Sequence, residues 1–290
     1  MIDKKINKLR NLIKLNNIDG YIVPKNDEFF SEYAFPNRLK TISNFSGSAG
    51  LAIILKDKNF LFVDGRYTLQ SKIESGNNFK IIEIPKLLPH DLLRKYKKEL
   101  LLGFDPKLFT NNSLKRSFKD SCNLFPINQN LIDLIDAKKI YDHRKESFYI
   151  LDDKVVGESV NSKINKLILN LKKNKIDNIF ISAPENVAWL LNLRGKDNPY
   201  SPIPNCQIIL TKNKKIYFFS SKNKIVKIKN QYPYKNFNFS DFNEFSSLIN
   251  ELTGKYFSID SSTCSVFNES IIKSKFNCKS SVDPCYEMKA

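Results

Sequence analysis

The chain has 290 residues, 41% hydrophobic and 27% charged, with a formal net charge of +17 at pH 7. That length suits two ordinary domains, and the composition fits a soluble globular protein. The longest apolar runs, such as Leu61-Phe62-Val63 and Ile208-Ile209-Leu210, are far too short for a membrane span.

Ile6, Leu9, Leu12 and Ile13 fall on one helical face, and the surrounding charges and Asn residues give no apolar core for a signal peptide. Tyr21 to Pro24 reads as a short strand ended by proline. Residues 26–48 are polar, aromatic and irregular, the pattern of a long functional loop. Leu51–Leu55 and Phe60–Val63 flank Lys56-Asp57-Lys58-Asn59 as a hairpin. Arg66–Glu74 reads as helix and Phe79–Ile84 as strand. Pro89 opens a helix expected to run to about Leu100, with proline in the first turn. Leu101–Phe104 is a strand and Leu131–Ile135 a last helical piece. Residues 136–146 are charged and without core periodicity, so the domain boundary is expected there. Beyond it, Val155–Lys173 carries Ile164, Leu167, Ile168 and Leu171 at helical spacing. Asn178–Ile181 reads as a strand and Glu185–Asn192 as a short helix holding the only tryptophan, Trp189. Cys206–Leu210 and Lys215–Phe219 form a second hairpin. Ser240–Glu251, Tyr256–Ile259 and Phe267–Lys275 follow as helix, strand, helix. Strand pairs mixed with helices imply two mixed-sheet α/β domains. The halves share an order of elements, which suggests an internal structural repeat with slight residue identity.

The basic charge has two readings. Nucleic-acid or anionic-membrane binding is the sharp one. Only seven of the 47 basic residues are arginine, however: Arg10, Arg38, Arg66, Arg94, Arg116, Arg144 and Arg194. Lysine, asparagine and isoleucine abound as in the product of an A+T-rich genome, whereas phosphate-clamping and base-reading surfaces favour arginine's planar fork. The compositional reading is preferred, and neither a nucleic-acid nor a membrane partner is expected. Five cysteines (Cys122, Cys206, Cys264, Cys278, Cys285) lack Cys-x-x-Cys spacing and read as free thiols in a reducing cytoplasm.

Several segments together resemble the aminopeptidase P (Xaa-Pro aminopeptidase) branch of the creatinase and prolidase group. They are Tyr21-Ile22-Val23-Pro24, then Asp27 with Ser31-Glu32-Tyr33, then Ile42 to Gly50, then Val63-Asp64-Gly65-Arg66-Tyr67. In the second half, Glu185 to Gly195 and Asn198-Pro199-Tyr200-Ser201-Pro202 continue the likeness. The resemblance implies two tandem creatinase N-terminal-like domains, each a mixed β-sheet flanked by helices: residues 1–140, then 147–283. Residues 284–290 would begin the connection to an absent catalytic domain. That third domain would hold two divalent metals, usually manganese, and the intact protein would release the residue preceding proline, commonly as a homodimer. Peptides with proline in second position are then the substrate, and this chain alone is expected to be inactive.

The residues agree on their own terms. Metal hydrolysis needs His and carboxylates converging on an ion. The two histidines, His90 in a first helical turn and His143 in the charged linker, have no partner at ligand spacing and read as surface or capping residues. Gly47-Ser48-Ala49-Gly50 is not a Gly-x-Ser-x-Gly elbow. Arg66 is the leading functional residue. Asp64 caps the turn, Gly65 eases it, and the guanidinium projects with five donors toward a peptide carbonyl or carboxylate. In the family, the arginine of this motif binds substrate. The alternative is that Arg66 holds the 26–48 loop through Asp27 or Glu32. Asp64, Tyr67, Ser48, Arg194 and Asp197 are its supporting candidates, with Arg194 and Asp197 lining a face toward the third domain. Ser46 to Gly50 forms either a backbone anion nest or a flexible turn. Trp189 reads as core packing.

Overall fold

The structure, a computed structural model, describes residues 2–96, 98–136, 148–229 and 236–290. His143, Arg144 and most of the expected boundary segment lie outside these residues. The chain divides into two compact units, Met1–Tyr141 and Asp142–Ala290.

The first unit runs α1 (Ile2–Leu15), β1 (Gly20–Pro24), α2 (Arg38–Ser43), β2 (Leu51–Leu55), β3 (Asn59–Asp64), α3 (Thr68–Ser75), β4 (Lys80–Ile84), α4 (Pro89–Leu93), β5 (Leu101–Phe104), α5 (Asn111–Phe118), β6 (Asn123–Pro126) and α6 (Leu131–Ile135). Its six strands lie in the order β4-β3-β2-β1-β5-β6. The β1–β2 and β2–β3 pairs are antiparallel; β3–β4, β1–β5 and β5–β6 are parallel. Alternation along each strand assigns the faces. Tyr21, Val23, Ala52, Ile54, Leu61 and Val63 join one core with Ile2, Ile6, Leu9 and Ile13 of α1, with Leu39 and Ile42 of α2, and with α6.

Three helical expectations are corrected. The loop at 26–48 contains α2, capped by Asn37, whose side chain accepts from the Lys40 amide, and closed by Asn44 in the left-handed region. Two apolar anchors, Leu39 and Ile42, are too few to show as periodicity. The helix from Pro89 ends at Leu93 rather than near Leu100, because Arg94 to Glu99 offer no apolar face to bury. A helix not expected, α5, starts on a reciprocal Thr110–Ser113 cap and buries only Leu114 and Phe118, one turn apart.

The second unit runs β7 (Tyr149–Ile150), α7 (Asp153–Val156), α8 (Val160–Lys173), β8 (Asn178–Ile181), α9 (Pro184–Leu190), β9 (Leu193–Arg194), β10 (Gln207–Thr211), β11 (Ile216–Phe219), α10 (Lys222–Lys229), β12 (Phe237–Ser240), α11 (Phe245–Glu251), β13 (Tyr256–Ile259), α12 (Val266–Lys273), β14 (Asn277–Ser280) and α13 (Pro284–Met288). The expected single helix over 155–173 is broken into α7 and α8 by Gly157 at φ 78°, a left-handed position that glycine enters freely. Ser159 then caps α8 by accepting from the Ser162 amide. The main sheet has the order β12-β11-β10-β8-β13-β14. Its pairing directions match those of the first sheet strand for strand. The internal repeat is therefore topological, although few side chains repeat. Each unit is a mixed α/β sandwich of helices on a six-stranded sheet. Residues 284–290, expected to begin a connection, include α13. There Cys285 is fully buried in the core around α8 and β8, and Tyr286 donates to Glu185 at 2.8 Å.

Candidate functional site

Because β1, β3 and β5 of the first unit run the same way, Pro24, Asp64 and Phe104 end at one edge of the sheet. In open α/β sheets the carboxyl edge is the usual place for a ligand, because loops rather than regular strands supply the groups there.

At the end of β3 the chain turns through one 3₁₀ turn, Gly65–Tyr67. Asp64 makes that turn: its Oδ1 accepts from the Arg66 amide at 2.9 Å, meeting a donor that the turn itself leaves open. The same carboxylate receives the Arg66 guanidinium, Nε at 3.2 Å and Nη2 at 2.7 Å, in a two-point fork. This contact holds the Asp64 carboxyl below its usual range and raises Arg66 further. The Arg66 side chain is nevertheless 75% exposed, with its guanidinium 5.3 Å from the centre of the Tyr67 ring. Tyr67 shares a 2.8 Å hydrogen bond between its hydroxyl and that of Ser48, and its ring meets Phe45 edge-on at 5.7 Å. Three of the expected residues, Asp64, Tyr67 and Ser48, thus stand around Arg66. Gly47 is required beside them, since a Cβ there would sit 2.3 Å from Phe45 Cζ. The Ser46 to Gly50 segment, read as either an anion nest or a flexible turn, has its Ser46 amide already on a carboxylate. Glu74 accepts from the Ser46 amide at 2.7 Å and from its hydroxyl at 2.6 Å, and Gln70 donates to the same carboxylate.

The loop at 26–37 is held by other groups. Buried Asp27 accepts from the amides of Phe29 and Ser31 through Oδ1, at 3.0 and 3.1 Å, and from Phe35 through Oδ2 at 3.3 Å. Burial still pushes its carboxyl up, the three amides pulling the other way. Phe30 sits at φ 57°, a region that a bulky side chain rarely enters, so the turn is over-determined by its neighbours. The arginine that ties this loop down is Arg38, not Arg66. It grips Asp133 of α6 at 2.9 and 2.8 Å and Glu28 at 2.8 Å. Arg38 was legible as one of few arginines in a lysine-rich chain, but its partners, 95 residues away in one case, were not. Lys25, one residue past β1, is buried, and its amide donates to the Gly50 carbonyl at 3.1 Å.

The remaining candidates belong to the second unit. Arg194 donates to the carbonyl of Ala188 near the end of α9 at 3.0 Å and to that of Leu193 at 2.8 Å. Asp197 is buried, ion-paired with Lys224, and accepts from the Asn205 amide at 2.7 Å. Trp189 packs against the core as expected, with the Lys163 ammonium 4.6 Å above its ring. His90 of the first unit faces Asp91 at 3.4 Å. Among the described residues, no three His, Cys, Asp or Glu side chains gather as metal ligands. The five cysteines are free thiols.

Comparison with known proteins gives a consistent picture. Two family models, both described as the creatinase/prolidase N-terminal domain, match residues 5–136 and 142–290. Xaa-Pro aminopeptidase 1 of Dictyostelium discoideum is 34% identical over 250 residues, covering 80% of this chain and 40% of its own. A probable Xaa-Pro aminopeptidase P of Aspergillus fumigatus is 35% identical over 221 residues, 73% of this chain and 34% of its own. The X-prolyl aminopeptidase of Caenorhabditis elegans, described as a cytosolic enzyme with a di-nuclear active site, shares the fold. It superposes with a TM-score of 0.84 over 97% of this chain and 50% of its own, at 24% identity. The chain therefore spans at most about two fifths of the length of these two curated relatives.

Proposed function

This chain belongs to the creatinase/prolidase N-terminal family, and on that premise we propose that it is the non-catalytic N-terminal part of an Xaa-Pro aminopeptidase-like metallopeptidase, shaping the site that receives the peptide. The observation that carries this reading is the Asp64-Gly65-Arg66-Tyr67 turn. It presents an exposed guanidinium at the carboxyl edge of the first sheet, held only by its own cap. A peptide carbonyl or carboxylate takes the place of Asp64 on that fork, while Tyr67 and Ser48 fix the floor beneath it. Nothing in this arrangement breaks an amide bond.

The metals of the C. elegans enzyme's di-nuclear site do not fit the described residues of this chain. Among the described residues no three His, Cys, Asp or Glu side chains converge, and the carboxylate that His90 faces is Asp91. Hydrolysis of an Xaa-Pro bond, with two divalent metals, usually manganese, is assigned to sequence beyond these residues. A cytoplasmic location is part of the proposal. It is supported by the cytosolic C. elegans relative, and none of the described helices is long and apolar enough to cross a membrane.

The test is binding without turnover. The 290-residue chain should bind peptides with proline in second position, and Arg66→Ala should weaken that binding about tenfold or more. With manganese added it should release no N-terminal residue. Turnover that a chelator abolishes would overturn the reading, as would peptide affinity indifferent to Arg66→Ala.

A further inference from the structure

One charged group at this edge is used by nothing described so far. Lys25 follows β1 directly and is 8% exposed, among the most buried lysines of the first unit. Among the described residues, no carbonyl or side chain receives a hydrogen bond from its ammonium. The ammonium is also not among the polar atoms sealed from solvent without a partner, so its tip reaches water. A buried lysine with no partner is unusual, because desolvating an ammonium without a hydrogen bond is unfavourable. Burial disfavours the cation most; the charges of Asp27 and Glu32 favour it, and Lys40 opposes it. The Asp27 oxygens are already engaged by three amides, and Glu32 is exposed.

Lys25 and Arg66 share one neighbourhood. Pro24 pairs with Leu51 and Leu51 with Phe62, so the ends of β1 and β3 are two strands apart, about 10 Å. Both cations feel the charge of Glu32. The loop that follows Lys25 is itself held firmly, with Phe30 at positive φ and Arg38 clamping Glu28. These are the marks of a group held in place for a ligand rather than for the fold.

We propose that Lys25 is a second cationic contact of the peptide site, one that takes a carboxylate of the bound peptide about one residue or two beyond the group held by Arg66. The proposal rests on the reading of Arg66 given above. A carboxylate there would replace water on the ammonium and add a counter-charge to those of Asp27 and Glu32. The site would thus favour acidic peptides over neutral ones of the same shape.

Two measurements separate this inference from the reading of Arg66. First, the chain labelled with ¹³C at lysine Cε is titrated with acetate and with acetamide, the Lys25 signal being assigned by its loss in Lys25→Arg. A saturable shift with acetate alone is expected. A Lys25 signal indifferent to acetate overturns the inference whatever Arg66 does. Second, calorimetric affinities are compared for Ala-Pro-Asp-amide, Ala-Pro-Asn-amide and Ala-Pro-Asn with a free carboxyl end. One of the two acidic peptides should bind about tenfold tighter than the neutral one, identifying whether side chain or chain end is read. Lys25→Met should abolish that ratio and leave the neutral peptide's affinity unchanged, Lys25→Arg should restore it, and Arg66→Ala should weaken all three peptides alike. An acid preference that survives Lys25→Met removes Lys25 and leaves Arg66 standing. An acetate response without affinity for any peptide removes both.

Discussion

Arg38 and Arg66 show how position decides what a guanidinium does. Arg66 is exposed and bonded within its own turn, so water competes for every contact and the pair is free to open for a ligand. Arg38 is 6% exposed, and its fork joins α2 to α6 and to Glu28. Removing it leaves two carboxylates without a counter-ion around a buried gap, although both are about a third exposed and regain some water. Arg38→Met is therefore expected to destabilise the first unit by about 2–4 kcal/mol. Arg38→Lys should recover only part, since one ammonium cannot bridge Asp133 at two points and Glu28 as well. Urea unfolding measures both, and a change under about 0.5 kcal/mol for Arg38→Met would contradict this account. The Asp64-Gly65-Arg66-Tyr67 turn was legible in the sequence, because a cap, a glycine and the guanidinium it presents lie within four residues. Arg38 with Asp133, Lys25 with Gly50, and Ser46 with Glu74 were not. Each contact joins segments that only the finished sheet brings together, and no periodicity records such a meeting.

At the scale of elements, the repeated topology brings a repeated electrostatic clasp. Asp19 immediately precedes β1, and Asp177 immediately precedes β8, the equivalent strand. Asp19 accepts from Lys56 of the β2–β3 turn, from Lys98, and from the Leu101 amide at the start of β5. Asp177 accepts from Lys212 just past β10, and from the Lys255 and Tyr256 amides at the start of β13. Burial pushes the Asp19 carboxyl up, but its two lysines and the amide outweigh it and bring it down to about 2. Asp177 is brought to about 2 chiefly by Lys212, then by the two amides. Both values lie below the ordinary range for aspartate. The stabilisation is therefore complete above about pH 4 and is lost as pH falls toward 2. After allowance for the exposed lysines, Asp19→Asn and Asp177→Asn should each cost about 1–2 kcal/mol at pH 7. The gap from the unsubstituted chain should close on acidification toward pH 2, and a gap constant with pH would refute the clasp. The two hairpins and most helices of this repeat were legible from apolar patterns. The edge strands β6, β12 and β14 were not, being too short and too polar to differ from loop.

For the whole molecule, five of the seven arginines that accompany the +17 charge have a hydrogen-bonded guanidinium; Arg116 is exposed, and Arg144 lies outside the described residues. Arg10 bonds the Leu55 carbonyl and Asn59, Arg94 bonds the Lys119 carbonyl, Arg38 and Arg66 bond carboxylates, and Arg194 bonds the Ala188 carbonyl. Nucleic-acid surfaces favour guanidinium forks that are not already spent on the protein's own carbonyls and carboxylates. Among the described residues, each six-stranded sheet draws all its strands from one unit. The first unit has the α1-based core on one face; the second buries Phe180, Phe219, Phe245 and Phe257 on one face and the α8 stripe with Cys285 on the other. Pieces of this size normally bury enough apolar surface to fold alone. Residues 1–141 and 142–290, produced separately, should each unfold in a single urea transition with a slope of about 1–3 kcal/mol/M. Ending the second piece at Asp283 removes Cys285 from its core together with the Tyr286–Glu185 and Lys289–Asn186 bonds. That truncation should lower its stability by about 2–4 kcal/mol, since a buried side chain and two hydrogen bonds are lost at once. A second unit indifferent to the loss of α13 would refute this role for the helix in the core.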